Sequence, residues 1–292
     1  MNLNIFLQNL SNGISLGCLF ALIAIGYTMV YGVLRLINFA HGDIFMMATF
    51  FVYYAIALFS LPWGVACLVA VVLAMLLGRT VERIAYKPLR NAPRISSLCS
   101  AIGMSFLLEN FAIVVFGGRP KAFYRPEFFS KIFILGGVRI PGVNFITPIV
   151  SIIFLLILTY IVYRTKTGLA MRAISKDFDT AKLMGINLDR TISFTFILGS
   201  GLAAIGAVLW ALRYPQIWPF MGVFPGWRAF IAAVIGGIGS IRGAMVGGFM
   251  VGLLTIMIVA FMPGLAGYKD AFIFIILIFV LLFKPEGIFG EE

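Results

Sequence analysis

Nine apolar runs, each near the length that crosses a lipid bilayer, follow one another at 10–33, 36–60, 62–78, 95–116, 144–163, 191–212, 224–240, 243–262 and 270–283. A hydrocarbon core of about 30 Å takes roughly 20 helical residues to span. Backbone polar groups inside it have no water to bond, and helices satisfy them within each segment. The expected fold is therefore an all-α polytopic membrane domain covering 1–292, with eight to nine transmembrane helices because the 224–240 run is short. Hydrophobic residues are 62% and charged residues 11% of the 292, too few charges for the surface of a soluble globule. No Lys or Arg precedes Arg35, so the first run lacks the basic flank of a cleaved signal and reads as a true span.

The net charge of +11 does not point to nucleic acid, because the basic residues gather in loops between the runs, where they set orientation and meet anionic lipid. Loop 79–94 holds five Lys or Arg, loop 117–143 five, and loop 164–190 six. One span separates each loop from the next, so the first and third share a side. The positive-inside rule sets eleven charges against five and sends those two loops to the cytoplasm, leaving 117–143 as a periplasmic loop. With nine spans the amino terminus lies outside and the KPEGIFGEE tail inside. Within the outer loop, FILGGVRI predicts a hairpin turning at Gly136 and Gly137. Cys18, Cys67 and Cys99 stand singly in apolar segments, which excludes a disulfide framework or metal-ligand spacing.

The long interruption at 167–186, TGLAMRAISKDFDTAKLMGI, predicts a short amphipathic helix inside a coupling loop at 165–190. Ile174, Phe178, Ala181 and Gly185 recur at helical spacing, with Arg172, Lys176, Asp179 and Lys182 on other faces. Thr167 is suited to cap its start, and Gly185 to a left-handed stop. Such a helix, tethered between two spans, lies either on the membrane surface or in a partner's groove.

Chemistry-bearing residues are few. No phosphate-binding G-x-x-x-x-G-K-[ST] occurs, and GGIGSIRG fails the dinucleotide fingerprint at Arg242. Glu109 alone is an ionisable residue deep in a span, with His41 and Asp43 near a span entrance, a poor endowment for proton or sodium coupling. LINFAHGD places Asn38, Phe39, His41, Gly42 and Asp43 at the opening of an apolar run: either a polar loop with a structural histidine, or a broken helix lining a substrate path. His41 is the only histidine in the chain, which leaves it no metal-binding or catalytic set. Glu109 in FLLENFAIVV must face protein or water, and three readings stay open: a pair with Arg228, a protonated carboxyl between helices, or a place in the pathway. Gly236, Gly237, Gly239 and Ser240 belong either to a small-residue packing series continued by Gly243 and Gly247, or to a tight turn at the substrate path. IWPFMGVFPGW, with Gly222 and Gly226, predicts a second discontinuous helix. Ala24-Ile25-Gly26 and Ala204-Ile205-Gly206 precede the two irregular regions as a faint internal repeat.

GYTMVYGVLRLINFAHGD, TGLAMRAISKDFDTAKLMGI and AVIGGIGSIRGAMVGG, in this order and spacing, resemble the inner-membrane permease subunits of ATP-binding cassette importers for branched-chain amino acids. The resemblance covers essentially the whole chain and is nearest the shorter permease of the pair. It implies a multi-pass protein of the bacterial or archaeal inner membrane, not itself an enzyme. The implied partners are a second homologous permease, two cytoplasmic ATPase subunits and a periplasmic substrate-binding protein. ATP and Mg belong to the ATPase partners, and no cofactor is expected in this chain. The resemblance also implies that the helix bearing Arg172, Ala173, Asp177, Phe178, Ala181, Gly185 and Ile186 is the segment docked on an ATPase. Members of the family also carry urea, short amides or other amino acids. A self-contained secondary transporter, a sugar permease of the same fold and an intramembrane enzyme are the rival readings. The early and middle motifs argue against the sugar permease, and the lack of a nucleophile and base pair argues against the enzyme.

Overall fold

The computed structural model describes residues 3–90 and 92–290. Among the described residues, eight helical segments are long and apolar enough to cross a membrane, and Val223–Gly236 is a shorter apolar helix. The chain is an all-α polytopic membrane protein. Its helices are α1 (Leu3–Leu34), α2 (His41–Phe59), α3 (Trp63–Val81), α4 (Arg94–Phe116), α5 (Glu127–Ser130), α6 (Gly142–Arg164), α7 (Lys166–Lys176), α8 (Phe178–Leu183), α9 (Leu188–Arg213), α10 (Val223–Gly236), α11 (Ile241–Phe261) and α12 (Lys269–Phe283). Four short strands join them: β1 (Lys121–Ala122), β2 (Ile132–Leu135), β3 (Val138–Pro141) and β4 (Gln216–Ile217).

The axis of the bundle is α1, in which every residue from Leu19 to Val30 is buried. A helix apolar all round is one enclosed by other helices, and α1 packs on α6, α9, α10 and α11. Its approach to α11 is backbone to backbone: a Cβ at Gly248 would strike Ala21 and Phe20, and one at Gly252 would strike Gly17 and Leu16. Against α9 it runs antiparallel, with Gly26 opposite Gly199 and Ile23 opposite Gly206.

These two helices define two ends of the bundle. At one end Arg35 donates to the Ser175 carbonyl (3.5 Å) and Lys87 pairs with Asp189 (2.6 Å), so the loops 79–94 and 164–190 share a basic face. At the other end Asn144 donates to Asn12 (2.6 Å), Arg213 donates to Ser15 (3.1 Å) and Asn144 (3.0 Å), and β1 pairs antiparallel with β4. The predicted hairpin lies at this end as β2 and β3, with Leu135 opposite Val138. Gly136 (φ 56°) and Gly137 (φ 84°) supply the two left-handed residues that a two-residue turn requires.

Two of the expected spans are not continuous. Residues 36–40 leave α1 at the basic face and turn back into the bundle, so α2 starts only at His41. The His41 ring lies against Gly26, eight residues from Leu34 and so about 12 Å inside that end of α1. On the other side, residues 214–222 descend from α9 before α10 begins. The 14 residues of α10 reach only about 21 Å, short of a full crossing. The amino ends of α2 and α10 meet: a Cβ at Gly42 would lie 2.9 Å from the Gly222 carbonyl oxygen, and one at Gly226 would lie 3.3 Å from the Gly42 Cα. Each long helix, α1 or α9, is thus followed by a helix starting mid-bundle, and the two copies run in opposite directions. This is the arrangement of an inverted repeat.

Gly248→Leu is expected to lower stability by about 1–3 kcal/mol through overpacking, read as a lower thermal midpoint by circular dichroism in detergent. Gly103→Leu, where a Cβ meets nothing within 4 Å, should leave the midpoint unchanged. Equal midpoints for both variants contradict the packing.

Candidate functional site

Where α2 and α10 meet, a cavity of about 420 Å³ opens between them and α4. Its polar lining is Tyr27, Asp43, Ser105 and Glu109, and its apolar walls include Phe39, Phe106, Trp227 and Phe230. Asp43, in the first turn of α2, puts its negative charge where the helix dipole favours it. Ser105 donates to Asp43 Oδ2 (2.5 Å), and Glu109 stands one turn further along the same face of α4.

The segment leading into α2 is held from the basic face. Tyr86 shares its hydroxyl hydrogen between the Ile37 carbonyl and Asn38 Oδ1, both at 3.2 Å. Tyr86 closes a π-helical turn, Glu82–Tyr86, at the end of α3. The Glu82 carboxylate, 1% exposed, is ion-paired with Arg90 and accepts from Ser193 on α9 (2.7 Å). Arg90 also binds Asp189, so the turn is tied to the start of α9. His41 is buried behind the cavity with its ring 4.3 Å from that of Tyr27. Gly26 makes room for it, since a Cβ there would fall 2.5 Å from His41 Cε1. Asn38 Nδ2 has no hydrogen-bond partner among the described residues.

Of the residues expected in the pathway, Phe39, Gly42, Asp43 and Glu109 line the cavity, with Asn38 and His41 buried beside it. Of the three readings of Glu109, the pair with Arg228 does not form. Arg228 is held by Asp270 at the start of α12 through two bonds of 2.7 and 2.9 Å. Gly236, Gly237, Gly239 and Ser240 lie at the basic-face turn between α10 and α11 and do not line the cavity. Gly236 packs on Gly243, Gly237 on Phe289 and Gly290, and Gly239 (φ 100°) beside Gly32. Ser240 caps α11 by accepting from Gly243 N (3.2 Å). Their role here is close packing and turning. Ser105, Tyr27, Tyr86 and Trp227 were not singled out from sequence. The spacing of Ser105 and Glu109, four residues apart in an apolar run, is a signal that marks one of them.

The amphipathic stretch on the basic face is two helices, not one. Asp177 breaks it by accepting from Asp179 N (2.9 Å) and Thr180 N (3.3 Å), which caps α8. Bonds from the Thr180 side chain, and then from the backbone of Thr180 and Asp179, hold the Asp177 carboxyl below its ordinary range. Thr165, not Thr167, caps α7. Gly185 takes the left-handed stop at φ 81°. Ile174 and Ala181 are buried against the bundle, with Ala173, Phe178 and Ile186 half-buried, while Arg172, Asp177 and Gly185 are exposed. The most exposed apolar residues of the loop are Leu183 (87%) and Met184 (78%) at its tip.

Opposed half-helices around a largely apolar cavity that carries Asp43, Ser105 and Glu109 define a membrane transport subunit. Residues 9–281 match the family described as branched-chain amino acid transport system / permease component, and the chain belongs to that family. It is 40% identical to the high-affinity branched-chain amino acid transport system permease protein LivH of Escherichia coli, covering 98% of this chain and 96% of that protein. It is 39% identical to the corresponding permease protein BraD of Pseudomonas aeruginosa, again over 98% and 96%. It is 29% identical to the protein named probable branched-chain amino acid transport permease protein LivH of Methanocaldococcus jannaschii, over 94% of this chain and 89% of that protein. The protein is a multi-pass inner-membrane protein.

Arg90→Ala leaves Glu82 buried with only Ser193 and should cost about 3–5 kcal/mol, whereas Tyr86→Phe should cost about 1 kcal/mol. Unfolding midpoints of the purified variants check this order, and an Arg90 variant as stable as wild type contradicts it.

Proposed function

We propose that this chain is the permease subunit of an ATP-driven importer of branched-chain amino acids. It pairs with a second permease and is driven by two ATPase subunits on the basic face. A substrate-binding protein supplies it from the other face. The observation that carries this reading is the family match across residues 9–281 together with a mid-bundle cavity formed where two half-helices meet. Eleven basic residues in the two loops of one face, against five in the 117–143 loop of the other, support a cytoplasmic basic face by the positive-inside rule.

The loop of α7 and α8 is the lever. Its buried side locks onto α1, α6 and α9, so a force applied at the tip reaches the helices around the cavity. Leu183 and Met184 are the apolar anchors offered to a groove on the ATPase. Nucleotide-driven closure of the ATPases then rocks the repeat halves and alternates access to the cavity. The cavity walls Phe39, Phe106, Trp227 and Phe230 suit an aliphatic side chain.

Leu183→Asp combined with Met184→Asp should reduce ATPase co-purification at least about tenfold, with membrane insertion retained. Unchanged co-purification removes the docking surface. Lys182→Cys, in a background lacking Cys18, Cys67 and Cys99, should react with an impermeant maleimide only from the cytoplasmic side. Reaction from the periplasm reverses the orientation. Leucine uptake into proteoliposomes by the assembled complex should require ATP, and uptake by this chain alone without nucleotide supports the secondary-transporter reading instead.

A further inference from the structure

Two carboxylates face one largely apolar cavity, and no Lys or Arg lines it. Asp43 is 3% and Glu109 9% exposed. Asp43 has the Ser105 hydroxyl as a donor, but Glu109 has no hydrogen-bond donor or cation beside it among the described residues. The one cation on α10, Arg228, is turned away and engaged by Asp270. Two carboxylates facing one largely apolar cavity repel each other, and a cation with several donors placed between them offsets that repulsion. A primary ammonium group brings three donors and a full charge.

The other side of the cavity has the opposite polarity. The first turn of α10 carries no acidic residue and no side-chain cap; Val223 N donates to the Phe220 carbonyl (3.2 Å), Gly226 N to the Gly222 carbonyl (2.8 Å), and Pro225 has no N–H. No acidic side chain therefore offsets the positive end of its dipole, in contrast to α2 with Asp43. An acidic wall, a positive helix end and aromatic walls between them match the three parts of a zwitterionic amino acid. A volume of about 420 Å³ lies within the range of small-molecule sites.

We propose that Asp43 and Glu109 form the seat for the α-ammonium group of the transported amino acid. The permease itself then rejects neutral amides and urea, independently of any delivery protein. This rests on the reading of the chain as an amino-acid importer and names the substrate chemistry of its cavity. Ser105 is a positioning residue that fixes the Asp43 carboxylate toward the seat.

The test is equilibrium binding of radiolabelled leucine to the complete transporter, purified without its delivery protein. In wild type, 3-methylbutylamine, which keeps the ammonium and the side chain, should compete with leucine. The neutral 4-methylpentanamide, which keeps the side chain but has no ammonium group, should compete at least about tenfold more weakly, the loss expected for charge-assisted bonds. Glu109→Gln and Asp43→Asn should each weaken leucine binding about tenfold or more, and Glu109→Asp should recover part of it. The wild-type ligand series decides the matter even if a variant fails to assemble. Equal competition by amine and amide overturns the proposal. So does sodium ion displacing the amine while leucine binding is untouched, which assigns the seat to an inorganic cation. If the wild-type complex imports leucine with ATP yet the variants bind it normally, the ammonium seat fails and the importer reading stands. If wild type neither binds nor imports any amino acid, the importer reading itself fails.

Discussion

The structure depends on two helices beginning inside the bundle rather than at its ends. A helix amino end exposes unpaired N–H groups and a partial positive charge, and in lipid such an end survives only against protein or a polar cavity. Here each end is set against the other. Gly42 and Gly222 lack side chains, and that absence lets the two backbones approach. The cavity, its acidic lining and the irregular segments that feed it follow from this one contact. α1 makes the contact possible by being apolar on every side, so that it serves as an internal post.

Support for the junction comes from the basic face. Glu82, Arg90, Asp189 and Ser193 tie the end of α3 to the start of α9, and Tyr86 carries that anchorage to Ile37 and Asn38. Helices α7 and α8 pack on α1 and α9 near the same end. A displacement of α7 and α8 would therefore reach helices that frame the cavity through packed contacts alone. At the opposite end Arg213 binds Ser15 and Asn144.

Much of the architecture is legible in local sequence because local chemistry decides it. Gly136 and Gly137 announce their turn, since only glycine takes two successive left-handed conformations without strain. LINFAHGD marks a break because its polar residues interrupt an apolar run. Gly185 marks a helix end for the same conformational reason as the hairpin glycines. What sequence leaves unread is the pairing across distance. Nothing local joins Gly42 to Gly222, or turns Arg228 to Asp270 in preference to Glu109. Helical periodicity over 167–186 also hides the break at Asp177, because the apolar spacing continues across a cap. The glycines of GGIGSIRG look alike in sequence, and only the packing separates those that permit close approach from residues that face the cavity.

The most direct test of this account is an electron cryo-microscopy structure of the assembled transporter in lipid nanodiscs, read at the separation of Gly42 and Gly222. The account predicts their backbones in van der Waals contact near the middle of the lipid density, with α2 and α10 departing toward opposite faces. Continuous helices running through residues 36–60 and 216–236, with no contact between the two glycines, contradict it.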